Sequence, residues 1–233
     1  MIVADISVDF PIVDEPLAFD VANRAKIDAD WAKRIADKPR MWNGPFFLFT
    51  GVTLGGSHLT AKAHPTDFAT FLYHRHVDRG HEFDVMHITG TSLITTSDNV
   101  IIAMEMASHT ANAGHIYFPA GSFDPDDVVD GRLDVFTNVV RELGEEVGLH
   151  LGAADFEDDW VGVRDDDTWH IAMPSRLDMT FDEFEKHFQK HQRDTGDDEL
   201  ARLFPVRNSE DSQALRPFAR MLADHMLDKL KSA

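Results

Sequence analysis

The stretch Arg141-Glu142-Leu143-Gly144-Glu145-Glu146-Val147-Gly148-Leu149 constrains this chain more than any other. On a helix, Glu142, Glu145 and Glu146 stand at i, i+3 and i+4 and share one face. Phe136, Val139 or Val140, Leu143 and Val147 recur at the same period on the other side. Such a helix lays its apolar stripe on a core and presents three like charges that repel one another. A charge run is ordinarily a solvated face. The other reading is a divalent cation, because Mg²⁺ takes carboxylate oxygens and shares its remaining positions with water and phosphates. Gly148 closes the helix in the manner of a C-terminal glycine.

The whole chain narrows the choices. Its 233 residues suffice for one large domain, or a domain with an extension, around a real core. It has no cysteine, which excludes a disulfide framework, a thiolate zinc site and a cysteine nucleophile. The net charge of −19, from 41 acids against 22 bases, repels nucleic acid, and no basic tract offsets it. No apolar run of about 18 residues predicts a membrane span. Met1-Ile2-Val3-Ala4-Asp5 lacks the basic and apolar regions of a signal peptide, so a cytoplasmic location is expected.

Periodicity predicts an α/β chain. Residues 1–15 alternate and read as one strand ending near Pro11; residues 18–37 read as an alanine-rich helix ended by Pro39. Strands at 46–54 and 57–63 flank Gly55-Gly56 as a hairpin, and Pro65-Thr66-Asp67 opens a helix to about Arg75. Residues 85–95 and 100–106 form a second hairpin turning at Ser97-Asp98-Asn99. Ile116–Gly121 is a short strand leading through a loop into the acidic helix. Strands follow at 160–164 and 168–174, then a helix from Phe181 to about Lys190 behind a Thr180 cap, and a polar loop at 191–199. Leu203–Val206 must be an edge strand because of Pro205, and the last helix spans about 212–230. Interleaved strands and helices predict a mixed β-sheet sandwiched between helices.

Taken together, Phe118-Pro119-Ala120-Gly121 followed by Arg141–Leu149 resembles the box of the Nudix hydrolase family. That box runs from a glycine through a first Glu to Arg-Glu-apolar-x-Glu-Glu-x-Gly-apolar. Arg141, Glu142, Leu143, Glu145, Glu146, Gly148 and Leu149 match its second half in full. The resemblance implies an α/β/α sandwich at 83–233 carrying an N-terminal α+β extension at 1–82. It also implies an Mg²⁺- or Mn²⁺-dependent hydrolysis of a pyrophosphate bond. Glu145 and Glu146 would be the best metal ligands, Glu142 a further ligand or base, and Ala120 or Gly121 the source of a backbone carbonyl. Arg141 would orient the glutamates, and Glu199 would be the distal carboxylate, with Asp197 and Asp198 as its neighbours.

Two departures stand out. Gly121 and Arg141 are 20 positions apart, so the loop is longer than the family pattern, and Leu133 stands where the first Glu belongs. Asp130 and Asp134 are the nearby substitutes for bracing that loop. Trp42–Leu48, Thr66–Leu72, Trp160–Asp166 and the lengthened loop resemble Nudix proteins that cleave UDP-glucose and UDP-galactose to UMP and a sugar 1-phosphate. A Nudix-fold binding module that has lost catalysis, and ADP-ribose or coenzyme A as substrate, are the alternatives. The partner implied is a small nucleotide, with neither nucleic acid nor membrane, and a homodimer through the extension is compatible with it. His74, His76 and His81 cluster at a helix end and are expected to face solvent. The four tryptophans are read first as core or rim packing.

Overall fold

The computed structural model describes residues 1–39, 41–110, 112–196 and 198–232. The first strand of the sequence reading is two strands. β1 (Ile2–Ala4) and β2 (Ser7–Asp9) part at Asp5, whose φ of 52° turns the backbone through the left-handed region and sends them to different sheets. Helix α1 (Ala18–Asp37) buries Phe19, Asn23 and Ile27. β3 (Pro45–Gly55) and β4 (His58–Asp67) form the expected hairpin, turning at Gly56-Ser57, where Gly56 takes φ 65°. Asp67 caps α2 (Phe68–His76) by accepting from Thr70 N at 2.8 Å. The same carboxylate accepts from Arg24 Nη1 at 2.8 Å and ties α1 to α2.

β5 (His87–Thr95) and β6 (Ile101–Met106) share only the pair Thr95–Ile101 before they splay. The gap is filled from the sequel: β7 (Ile116–Tyr117) pairs with β6 and β8 (Ala120–Ser122) pairs with β5, with Phe118-Pro119 between them. A two-stranded hairpin, β9 (Val128–Val129) with β10 (Arg132–Leu133), precedes the acidic helix α3 (Val135–Val147). β11 (Val161–Asp165) and β12 (Thr168–Arg176) follow. Helix α4 (Phe181–Thr195) then runs five residues past Lys190, so part of the expected 191–199 loop is helical. β13 (Leu200–Val206) keeps Pro205 on an edge strand. The last helix, α5 (Pro217–Ser232), starts later than expected; Pro217 suits a first turn, where its missing N–H is no loss, and Asp211–Ala214 form a separate 3-10 turn.

The main sheet has the order β1-β11-β12-β5-β6-β13, with β8 beside β5 and β7 beside β6. β12 and β5 run parallel and the other pairs antiparallel, so the sheet is mixed, as the sequence predicts. One face buries Val139, Leu143 and Val147 of α3 and Phe184 and Phe188 of α4 against Ile88, Ile102, Trp169 and Ile171. The other buries Leu222, Ala223 and Met226 of α5 against Leu93, Ala103, Val163 and Ala172. The chain is therefore an α/β fold with helices on both faces of a mixed sheet. The three-stranded sheet β2-β4-β3 packs with the α3 face, where Phe47, Phe49 and Leu59 join the same core. Among the described residues no helix is long and apolar enough to cross a membrane.

Candidate active site

α3 is fixed at both ends. Asp134 caps it by accepting from Thr137 N at 2.7 Å, and Gly148 ends it at φ 70°. A side chain at Gly148 would also overlap the His191 ring. His191 and His187 of α4 donate to the terminal carbonyls, Nε2 to Glu145 O at 2.9 Å and to Gly148 O at 3.0 Å. Of the two candidates for the inward stripe, Val139 is buried and Val140 only half so. Glu142, Glu145 and Glu146 lie on the opposite side, Glu145 exposed and the other two half-buried.

β8 brings the glycine loop to this face. Gly121 faces α3, and a Cβ there would overlap the carboxyl group of Glu142. The missing side chain is what lets Glu142 lie against the backbone of β8. Burial, then the charges of Glu145 and Asp127, push the Glu142 carboxyl up to about 7, with Arg141 opposing the shift. Arg141 Nη1 stands 3.0 Å from Glu142 Oε1 and 3.1 Å from Glu145 Oε2, so the guanidinium joins these two glutamates.

The brace of the loop is a residue that the sequence reading missed. Leu133 is buried in the core at 4% exposure, Asp134 is the helix cap, and Asp130 sits at the tip of the β9–β10 hairpin at φ 49°. Asp127, wholly buried, grips Arg141 instead: Nε donates to Oδ1 and Nη2 to Oδ2, each at 3.0 Å. Asn138 Nδ2 donates to Asp127 Oδ2 at 2.9 Å and to Ser122 O at 3.2 Å, which ties the insertion, β8 and α3 together. Burial works against the charge of Arg141. The Asp127 hydrogen bonds and the charges of Glu142, Asp127 and Asp124 outweigh it, so the guanidinium is held above its usual range. The extra loop residues are thus the turn Pro125–Asp127 and the hairpin behind it. Asp124-Pro125-Asp126-Asp127 carries a signal for this, an Asp cap followed by Pro at the first helical position.

Glu199 lies immediately before β13, its carbonyl accepting from Ala107 N at 2.8 Å. Asp198 is 3.3 Å from His109 Nε2, and Asp197 lies outside the described residues. Glu146 and Glu199 both fall within electrostatic range of Tyr117, whose hydroxyl burial first, and these two charges after it, push up to about 12. Among the described residues no three His, Asp or Glu side chains converge as a ligand group. The donor chemistry does fit a hard divalent cation: three carboxylates share one helix face, and one of them lies half-buried over a backbone left bare by Gly121.

The reverse face of β5 and β8 carries polar residues that the sequence reading passed over. His87 Nε2 is 3.0 Å from Ser122 Oγ, and His170 Nδ1 is 2.9 Å from Thr89 Oγ1. Burial holds both imidazoles low, His170 at about 3, with the nearby charge of Arg75 acting in the same direction. Phe218 stacks on His170 at 3.6 Å between centroids, and Phe71 lies 4.6 Å from His87. His74 is a correction to the expected solvent-facing cluster. It is buried at 1% exposure, edge-on to Phe19 at 5.7 Å, with Nε2 3.7 Å from Asp167, whereas His76 and His81 are exposed. Trp169 is core, and Trp42 is 75% exposed.

No protein-family model matches this chain, and no curated protein does. Among solved structures it is similar to the MutT protein of Methanosarcina mazei Go1, at 17% identity and a TM-score of 0.41 over 63% of this chain and 96% of that one. It is similar to the NUDIX domain of Shewanella oneidensis NrtR complexed with ADP ribose, at 13% identity and 0.43 over 69% and 97%. A NUDIX hydrolase from Nitrosomonas europaea gives 14% identity and 0.41 over 63% and 90%.

Proposed function

We propose that the chain is a metal-dependent Nudix hydrolase that cleaves the pyrophosphate bond of a nucleoside diphosphate joined to another group. The observation that carries this reading is Glu142, a half-buried carboxylate seated over Gly121 on a helix face that also bears Glu145 and Glu146. Glu142, Glu145 and Glu146, the carbonyl of Ala120 or Gly121, and Glu199 would hold Mg²⁺ or Mn²⁺. When bound, such an ion neutralises phosphate charge and makes water a better nucleophile. Glu142 is the residue to accept a proton, since a base is most effective when its pKa lies near working pH. Arg141, anchored by Asp127, positions Glu142 and Glu145 and touches no substrate. The segment 1–82 shapes the pocket, and a UDP-sugar giving UMP and sugar 1-phosphate is the leading substrate.

One observation favours a second reading, a nucleotide-binding module without turnover. The cation between Glu142 and Glu145 is the chain's own guanidinium. A hydrolysis screen with Mg²⁺ across UDP-sugars, ADP-ribose, coenzyme A and dinucleoside polyphosphates decides between them. Turnover is expected, with Glu145→Gln and Glu146→Gln each abolishing it while the fold persists. Tight binding without cleavage establishes the second reading, and retained turnover in both variants at saturating Mg²⁺ rules out the metal assignment.

A further inference from the structure

Arginine is costly to bury alone, and this chain has acids to spare, 41 against 22 bases. Four described arginines are partly buried: Arg24, Arg34, Arg75 and Arg141. Three hold an aspartate, Arg24 with Asp67 at 2.8 Å, Arg34 with Asp30 at 2.5 Å and Arg141 with Asp127 at 3.0 Å. Among the described residues Arg75 has no carboxylate at ion-pair distance. Its guanidinium lies 5.8 Å over the Phe71 ring and donates from Nη2 to Asn112 Oδ1 at 3.3 Å. A guanidinium has five N–H donors, and the one side-chain hydrogen bond to Asn112 uses only part of that capacity.

Burial lowers the Arg75 pKa first and the charges of Arg216 and Arg79 add to it, while Tyr117 and Asp167 oppose the shift; Asp167 is itself held by Arg79 at 2.8 Å. Burial first, then the charges of Arg216 and Arg75, lower the His115 imidazole. His87 and His170, on the sheet behind, are neutral. The position is also informative. Asn112 Nδ2, on the residue that accepts from Arg75, donates to the Tyr117 hydroxyl at 3.2 Å, and Tyr117 senses Glu146 and Glu199. Asn112 thus links the guanidinium on α2 to the Tyr117 hydroxyl on β7.

We propose that Arg75 is an anion-binding subsite that receives a phosphate-type group of the substrate. The identity of that anion as part of a pyrophosphate substrate rests on the hydrolase reading; the existence of the subsite does not. A partly buried guanidinium held by one amide oxygen and one ring face, with no carboxylate at ion-pair distance among the described residues, calls for an oxyanion brought from outside.

Inorganic pyrophosphate, titrated by calorimetry into the full chain in EDTA, tests the subsite with the divalent ion removed. Saturable binding is expected in the wild type, weakened about tenfold or more in Arg75→Ala and less in Arg75→Lys. Arg75→Gln, which keeps a polar contact for Asn112, serves if the alanine variant fails to fold. Equal affinity in wild type and variant, or no binding by the wild type, overturns the subsite. Turnover separates the two ideas. With a cleaved substrate, Arg75→Ala is expected to raise KM about tenfold with kcat little changed. Unchanged KM and kcat remove Arg75 from the substrate site and leave the hydrolase reading intact. Pyrophosphate binding without any cleaved substrate removes the hydrolase reading and leaves the subsite.

Discussion

Asp127 and Arg141 meet through two parallel hydrogen bonds of 3.0 Å, with the carboxylate wholly buried and the guanidinium 18% exposed. Removing Asp127 takes away the bidentate partner of a mostly buried guanidinium, which keeps Glu142 and Glu145, and takes an acceptor from Asn138, a loss of roughly 3 kcal/mol. Asp127→Ala is therefore expected to lower the urea midpoint strongly. Asp134→Ala, which removes only a helix cap, should cost about 1 kcal/mol. Asp130→Gly at the hairpin tip should be near neutral, since glycine suits the φ of 49° found there. Similar midpoints for all three variants would refute Asp127 as the brace.

Leu133 stands where the resemblance to a Nudix box would put its first Glu, yet it is 4% exposed and belongs to the core. Restoring that residue with Leu133→Glu should not improve activity. It would bury an unpaired carboxylate and destabilise the fold by several kcal/mol, read as a fall in melting temperature. A stable, more active variant would mean that the loop is organised otherwise.

Gly121→Ala puts a methyl group where the Glu142 carboxyl lies. Displacement of Glu142 should abolish turnover with only a modest shift in melting temperature. Turnover near the wild-type level would show that Glu142 does not need its seat on β8.

Binding of a divalent ion to the native state alone stabilises it by mass action, about 2.7 kcal/mol at a hundred times the dissociation constant. The melting temperature of the EDTA-treated chain should rise with Mg²⁺ concentration, and Glu142→Gln should flatten that rise. A rise of equal size in both proteins would place the ion elsewhere.

His170 gives a pH dependence of known sign. Its imidazole is held at about 3 by burial against an ordinary value of 6.5, so the unfolded chain binds the proton more readily. The stability from keeping it neutral is complete above about pH 6.5 and is lost as pH falls toward 3. Urea midpoints should drop between pH 7 and pH 4, and His170→Gln, although less stable at pH 7 without its stack on Phe218, should show a shallower drop. An unchanged slope would assign the acid limb to other groups.

Most of the layered fold was legible because its elements are strongly periodic: α3, the β5–β6 turn and the β11–β12 pair lie where hydrophobic spacing put them. Local chemistry that depends on distant partners was not. Asp127 looked like one acid among several in an acidic loop, and only its meeting with Arg141 across the turn distinguishes it. His87 and His170 read as ordinary strand residues, since parallel pairing of β5 with β12 is needed to set His170 opposite Thr89, two residues along from His87. The break at Asp5 was hidden because alternation continues through it, while the φ of 52° that redirects the chain leaves no mark on hydrophobicity.

That break has a consequence for assembly. The few residues on either side of Asp5 are stitched into separate sheets, Ile2–Ala4 to Val161–Val163 and Ser7–Asp9 to His58–Thr60. β1 waits for a partner roughly 160 residues along the chain, among the slowest contacts a polymer of this length makes. Those few residues act as a clasp. A fragment starting at residue 83 would leave β11 with a bare hydrogen-bonding edge, which is the usual invitation to aggregate.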